Sequence, residues 1–274
     1  MNNTECPICK IKCNKEYNLK DVFIYLCVKC THRFSVLKES TKELYNEEYY
    51  LDKHKNWFDN PDLNLYNKIL KIINNSNSSN ILDVGCGNGN LLSHIYTHSP
   101  KLNLTGIDLS ASKINADIKI IREDFFNYEC NETYDFIISL ATIEHIYEAK
   151  LFVNKLYKNL DSGGILFLMT MNDDSVLYKL SRFLNKIGIS KPFNRLYDKH
   201  HLNHFSHKSL KKLLENQNFI IIKTIFHNVP LKSLDFECSN YLEYHVNKLL
   251  TFVIFLIGKL SRRTYLQSIV VKKS

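Results

Sequence analysis

Proline and glycine are scarce in this chain, with 5 and 8 among 274 residues. That excludes collagen-like and Pro/Gly-rich disordered classes. There is no internal repeat, so a solenoid or propeller array is not indicated. No apolar run is long enough to span a bilayer, which needs about twenty residues. The longest candidate, 249–257, covers nine positions. Residues 1–5 are polar and do not resemble a signal peptide, so a cytoplasmic location is expected. Eight cysteines without such a leader point to a reducing compartment, where metal binding outranks disulfides. Hydrophobic residues make up 45% and charged residues 23%, as in an ordinary globular protein. The length suffices for one sizeable core plus additions.

Negative charge is scarce in the C-terminal third. Residues 186–274 carry 15 Lys/Arg against 5 Asp/Glu, and residues 1–185 carry 21 against 23. A cationic rim of this kind favours an anionic substrate such as a phosphorylated lipid, a sugar nucleotide or a nucleic acid. A lysine-rich solvated surface explains it equally well. Within this third, 249–257 reads first as a buried helix. A peripheral membrane contact through 249–263, with Lys248, Lys259, Arg262 and Arg263 around it, is second, and a dimer face is the remaining alternative.

Three of the eight glycines fall within five positions, at Gly85, Gly87 and Gly89, in the run I-L-D-V-G-C-G-N-G-N-L-L over 81–92. Ile81, Leu82 and Val84 suit a parallel strand covered on both faces. The glycines permit a tight turn and close approach of a ligand to the main chain. The helix beginning next offers free N–H groups to an anionic group. An acid, Asp83, sits inside the strand end. A second acid, Asp108, ends the candidate strand 102–107 about twenty residues further on, where it can accept hydrogen bonds from ribose hydroxyls. A third, Asp124, follows the apolar run 118–121. Dinucleotide sites want G-x-G-x-x-G, whereas these glycines are spaced evenly by two. Each acid alone could merely cap a helix; three in order after three successive strands favour a nucleoside site.

These residues resemble motif I and the following acids of the class I S-adenosylmethionine (SAM) dependent methyltransferases. The resemblance extends in order over about 76–274. Strands are expected at 134–139, 163–169, 219–226 and 265–271, the last inserted antiparallel. Helices are expected at 149–160 and at 207–215, the latter with Ser206 as N-cap. The implied fold is α/β: a Rossmann-like, seven-stranded, mostly parallel sheet. The implied cofactor residues are Asp83, Gly85, Cys86, Gly87, Asn88, Gly89, Asp108, Leu109 and Leu140, with Asp124 and Phe125 holding the adenine. Only sixteen positions lead from Asp108 to Asp124, so the intervening helix must be short.

Near the N-terminus, Cys6-Pro7-Ile8-Cys9 and Cys27-Val28-Lys29-Cys30 form a CxxC…CxxC pair. Two knuckles of this spacing bring four thiolates to one tetrahedral zinc ion and leave no open position, so the metal is expected to be structural. A redox pair is the alternative, but no thioredoxin-like βαβ pattern surrounds it. The residues 22–26 can form a strand into the second knuckle. A ribbon followed by the L-Y-x-x-x-Y-Y stretch of 44–50, and later by H-L-x-x-F-S-x-x-S-L at 201–210, resembles a bacterial subset of methyltransferases. That subset tailors sugars, lipids and metabolites, and is similar to the ubiquinone-type O-methyltransferases. The resulting organisation is a zinc ribbon over 1–40 and a helical lead-in over the cofactor cleft at 41–75. The cofactor domain follows at 76–274, with helical cap insertions near 172–204 and 228–263. Trp57, Phe58, Tyr49 and Tyr50 read as helix packing, with one tyrosine a candidate to close over the cofactor.

For catalysis, Glu144 and His145 follow the fourth strand, and His145 is the candidate general base for a hydroxyl acceptor. A histidine there can equally orient its loop or stack on the cofactor. The quinone-type relatives carry an acid where this chain has Ala141, which argues against a catalytic divalent ion. His200, His201, His204 and His207 form a further cluster, read as packing or solvent-facing rather than as metal ligands. The acceptor pocket is expected from the end of the fourth strand, 171–204 and 229–263. The expected activity is O-methylation of a small-molecule, lipid or sugar intermediate. An RNA methyltransferase and a non-catalytic scaffold are the alternatives. Residues 6–33 mix Lys and Arg with Glu16 and Asp21, which gives nucleic acid no particular support. Intact Asp83, Gly85, Gly87 and Asp108 speak against a degenerate pocket.

Overall fold

The computed structural model describes residues 4–38, 55–110, 117–130, 132–236, 238 and 240–274. The tyrosine stretch of 44–50 and the short helix expected between Asp108 and Asp124 lie largely or wholly outside them.

The larger sheet has seven strands: β5 (Asn80–Val84), β6 (Asn103–Ile107), β7 (Lys119–Ile121), β8 (Tyr134–Leu140), β9 (Leu160–Met171), β11 (Phe219–His227) and β12 (Leu266–Lys273). Their spatial order is β11-β12-β9-β8-β5-β6-β7. The pairs β9–β8, β8–β5, β5–β6 and β6–β7 are parallel, whereas β12 runs antiparallel to both β9 and β11. Residues 81–84 of β5 and 136–139 of β8 are buried because helices cover both faces of the sheet. One cover is α2 (Leu63–Asn75), which turns Leu65, Ile69, Leu70 and Ile73 inward and is capped by the Asp62 side chain accepting from Leu65 N. Another is α4 (Ala149–Asn159), whose Phe152, Val153 and Leu156 are buried. The chain leaves β5 for β6 on one side and passes to β8 on the other. The crevice beyond the carboxyl ends of β5 and β8 is therefore the topological switch point.

Residues 4–37 form a separate antiparallel sheet of β1 (Thr4–Glu5), β2 (Lys12–Asn18), β3 (Val22–Leu26) and β4 (Arg33–Leu37). Its fifth strand comes from far along the chain: β10 (Asn203–His204) pairs with β4, Asn203 opposite Phe34 and His204 opposite Arg33. Polar side chains close the seam. Ser35 N donates to Leu202 O at 2.8 Å, Ser35 Oγ meets His204 Nε2 at 2.9 Å, and His32 Nε2 meets Asn203 Oδ1 at 3.0 Å. Burial holds His32 down at about 4, so it stays neutral at physiological pH. Deeper in the seam, the buried Asp173 carboxylate receives Arg33 from the ribbon at 2.6 Å, Arg182 at 2.9 Å and the Tyr197 hydroxyl at 2.5 Å.

The histidine cluster takes on a defined role here. His204 is 2% and His200 8% exposed, so these two are interior residues of the ribbon seam and not solvent-facing ones. The 172–204 stretch likewise turns much of itself toward the ribbon: Phe193 of α6 (Lys191–Leu196) packs on Tyr17 with ring centroids 4.7 Å apart.

The expectation of a buried helix at 249–257 is overturned. That stretch belongs to α8 (Tyr241–Leu260), in which only Phe255 and Gly258 are buried. Eight of the nine positions in the stretch are apolar, all but Thr251, but the helix has one neighbouring wall, and one wall covers one stripe.

Candidate functional site

Beyond the ends of β5 and β8 lies a cavity of about 480 Å³, within the usual range for a small-molecule or cofactor site. Its floor is the glycine turn. Gly85, Gly87 and Gly89 all have positive φ, at 77°, 54° and 74°. At Gly85 an added Cβ would strike the Thr142 side chain, and at Gly87 it would come within 2.9 Å of the Phe58 ring. Only glycine allows the turn to pass beneath these two side chains. Gly89 is the N-cap of α3 (Asn90–His98) and does not line the cavity; the other ten of the eleven cofactor-binding candidates do.

The acids occupy different environments. Asp83 is 3% exposed and its Oδ1 has no hydrogen-bond partner among the described residues. Burial, reinforced by the nearby Asp108 charge, pushes its carboxyl up to about 8. Asp108 is held in place: Gly87 N donates to its Oδ2 at 2.9 Å, and Ser110 N and Oγ donate to its Oδ1 at 2.8 and 2.9 Å. It thus ties the glycine turn to the end of β6 while lining the cavity. Asp124 accepts from Phe126 N at 2.9 Å, which shapes the turn that brings Phe125 to the cavity wall.

Trp57 and Phe58, on the short α1 (Lys55–Asp59), line the cavity, so these two do more than pack a helix. Asn90 Nδ2 donates to Phe58 O at 2.7 Å and fastens α1 to the helix that starts at the glycine turn. Sequence periodicity could not mark this contact, because it joins elements more than thirty residues apart.

The other end of the cavity is built from the loop after β8. Ala141 lines it in a left-handed conformation, φ 52°, a strained state for a residue with a Cβ. Glu144 is 1% exposed, accepts from Thr170 Oγ1 at 2.8 Å, and burial pushes its carboxyl up to about 7. His145 Nδ1 lies 2.8 Å from His200 O. A carbonyl can only accept, so in the neutral ring Nδ1 carries the proton and Nε2 the lone pair. The His201 ring, 4.9 Å from that of His145, also faces the cavity; in the sequence it belongs to the histidine cluster, opens the H-L-x-x-F-S piece and lies in the expected acceptor stretch.

Residues 200–203 clamp this loop from the ribbon side. Leu202 N donates to Glu144 O at 2.7 Å and Asn203 Nδ2 to Ile146 O at 2.6 Å. The same segment pairs with β4, so a continuous path runs from the ribbon to Glu144 and His145. The expected acceptor wall is narrower than 171–204 and 229–263: of the described residues in those stretches, only Met171, His201, Val229, Pro230 and Ser233 reach the cavity.

In the ribbon, Cys6, Cys9, Cys27 and Cys30 form the one metal-competent cluster among the described residues, their sulfurs all within 4.8 Å of one another. Tetrahedral zinc at about 2.3 Å from each sulfur requires S–S edges of about 3.8 Å. Cys6 Sγ and Cys30 Sγ are already 3.6 Å apart, and Cys9 N points to Cys6 Sγ at 3.4 Å. The donor set therefore fits zinc. Cys13 is buried nearby but its Sγ points to Ile11 O at 3.5 Å.

A family described as a methyltransferase domain matches residues 54–224, more than half of the chain, and the chain belongs to that family. The malonyl-[acyl-carrier protein] O-methyltransferase 1 of Ilyobacter polytropus is 27% identical over 160 residues, which are 55% of this chain and 59% of that protein. The pavine N-methyltransferase of Thalictrum flavum subsp. glaucum is 33% identical over 99 residues, 32% of this chain and 28% of that protein. The chain thus spans less than two thirds of these relatives. Among solved structures, a SAM-dependent methyltransferase from Archaeoglobus fulgidus superimposes with a TM-score of 0.52 at 20% identity, covering 83% of this chain and 100% of that one. It shares the class I methyltransferase fold described above.

Proposed function

We propose that this chain is a SAM-dependent methyltransferase that methylates a hydroxyl group on a small-molecule, lipid or sugar intermediate. One observation carries the reading. A single cavity joins a glycine cradle with a buried, unpartnered carboxylate to a loop presenting Glu144 and His145.

SAM fits the first half on its chemistry. Asp83 would meet its cationic end, Asp108 its ribose, and Asp124 with Phe125 its adenine. When bound, SAM supplies a methyl group on a sulfonium leaving group, so the protein's task is largely alignment of the acceptor. Phe58 and Trp57 exclude water from the glycine turn. His145, with Nδ1 anchored on His200 O, offers Nε2 to a hydroxyl proton, the need that separates an oxygen acceptor from a neutral amine. Buried Glu144 holds the loop through Thr170, and His201 forms the facing wall. Zinc in the ribbon is structural and stabilises the sheet that clamps this loop. A four-thiolate metal cluster suits a reducing, cytoplasmic setting.

The test is calorimetry with SAM, S-adenosylhomocysteine and NAD, followed by transfer of labelled methyl to hydroxyl- and amine-bearing acceptors. Micromolar SAM binding without NAD binding, and label in the hydroxyl acceptors, is expected. NAD binding without SAM binding would overturn the cofactor reading. Label confined to amines would overturn the acceptor atom.

A further inference from the structure

We infer that the outward face of α8, together with the adjoining face of α5 (Val176–Lys186), is a docking surface for an anionic lipid bilayer, on which the protein lies without spanning it.

The surface is apolar to an unusual degree. Leu249, Leu250, Phe252, Val253, Leu256 and Ile257 are 43–64% exposed on three successive turns of α8. Beside them, α5 and the turn after it expose Phe183, Ile187 and Ile189 at 51–59%. The two helices pack against each other, so the exposed side chains belong to one region. A typical monomer's largest apolar patch covers a few hundred Å² and is often functional.

Charge decides what covers it. Residues 176–199 and 241–263 hold ten Lys/Arg against two Asp/Glu. Lys186, Lys191, Arg195, Lys259, Arg262 and Arg263 are all exposed, and the acid Glu243 is paired with Lys191 at 3.2 Å. A second copy of the chain would bring two cationic rims together. An anionic headgroup layer neutralises them, at about 1 kcal/mol per basic residue near the surface. No helix among the described residues is long and apolar enough to cross a membrane. The apolar part of α8 covers about 15 Å at 1.5 Å per residue, half of a bilayer core. An amphipathic helix of this make-up lies in the interface plane.

The face also adjoins the cavity. Phe255, on the inner side of α8, stacks on Tyr265, which lines the acceptor end. The turn Leu231–Ser233 touches α8 and supplies Ser233 to the cavity. Where the methyltransferase reading holds, an acceptor resident in the membrane would enter beside this face.

The experiment is co-sedimentation of the full chain with phosphatidylcholine vesicles, with and without phosphatidylglycerol, at low and high salt. Binding to the anionic vesicles at least tenfold above the neutral ones, weakened by salt, is expected. Phe252→Asp with Leu256→Asp should reduce the bound fraction at least tenfold, and Arg262→Glu with Arg263→Glu should remove most of the salt dependence. Circular dichroism and SAM affinity, unchanged in both, keep misfolding out of the comparison. Absence of binding at low salt, or equal binding to neutral vesicles, would overturn the inference. So would a dimer by light scattering that Phe252→Asp dissociates while vesicles are ignored. None of these readouts uses methyl transfer, so their failure leaves the methyltransferase reading standing.

Discussion

Replacing Asp83 by asparagine should make the ligand-free protein more stable and its SAM binding weaker. The carboxyl is buried with an unpartnered oxygen, and burial plus the Asp108 charge raises it to about 8 from an ordinary 3.8. Because the folded state holds the proton more tightly than the unfolded state, stability falls as pH rises from about 4 to about 8 and is level above that. The part of the shift lying below pH 7 corresponds to about 4 kcal/mol at 1.36 kcal/mol per pH unit. Relaxation and water entry reduce this to an expected 1–3 kcal/mol. Asparagine keeps the shape and has no charge to suppress. Its variant should therefore gain roughly 2–8 °C in melting temperature at pH 8 and little at pH 4.5. SAM affinity should drop about tenfold or more, since the cationic end loses its counter-charge. Differential scanning calorimetry at the two pH values, paired with titration calorimetry, reads both effects. A variant destabilised equally at both pH values would refute the reasoning and make Asp83 a conventional structural acid.

Asp108→Ala should weaken SAM binding by about 1–3 kcal/mol, through loss of the ribose partner and loosening of Gly87; unchanged affinity in calorimetry would place the ribose elsewhere. Asp173→Ala leaves the buried Arg182 without its acid, whereas Arg33 keeps Glu16 at 2.7 Å, and should cost about 3–5 kcal/mol of unfolding free energy in urea titration. Freshly purified protein should contain one zinc per four-cysteine cluster by metal analysis, and Cys6→Ser or Cys27→Ser should lower solubility before SAM affinity. His145→Ala should lower the maximal methylation rate by about 10²–10⁴ while SAM affinity, read by calorimetry, stays within about twofold.

The sequence on its own determined the α/β class, the glycine turn with its acids, and the four-cysteine cluster. Each of these depends on residues near one another in the chain. Gly85, Gly87 and Gly89 mark one turn, Asp83 and Asp108 end strands, and paired CxxC knuckles define a metal geometry by spacing. A seven-stranded, mostly parallel sheet with its last strand antiparallel followed from the resemblance those local motifs established. Tertiary structure alone decided what long-range packing controls. Asn203 and His204 complete the ribbon sheet, and Leu202 and Asn203 clamp the loop of Glu144 and His145, although about 170 residues separate them from β4. Phe58 covers Gly87, and His201 faces His145. The apolar run of α8 shows the same limit most directly. Leu249 to Ile257 is apolar enough to be buried, but whether a helix finds a second wall depends on where the rest of the chain places its neighbours, and here only the stripe at Phe255 and Gly258 is covered.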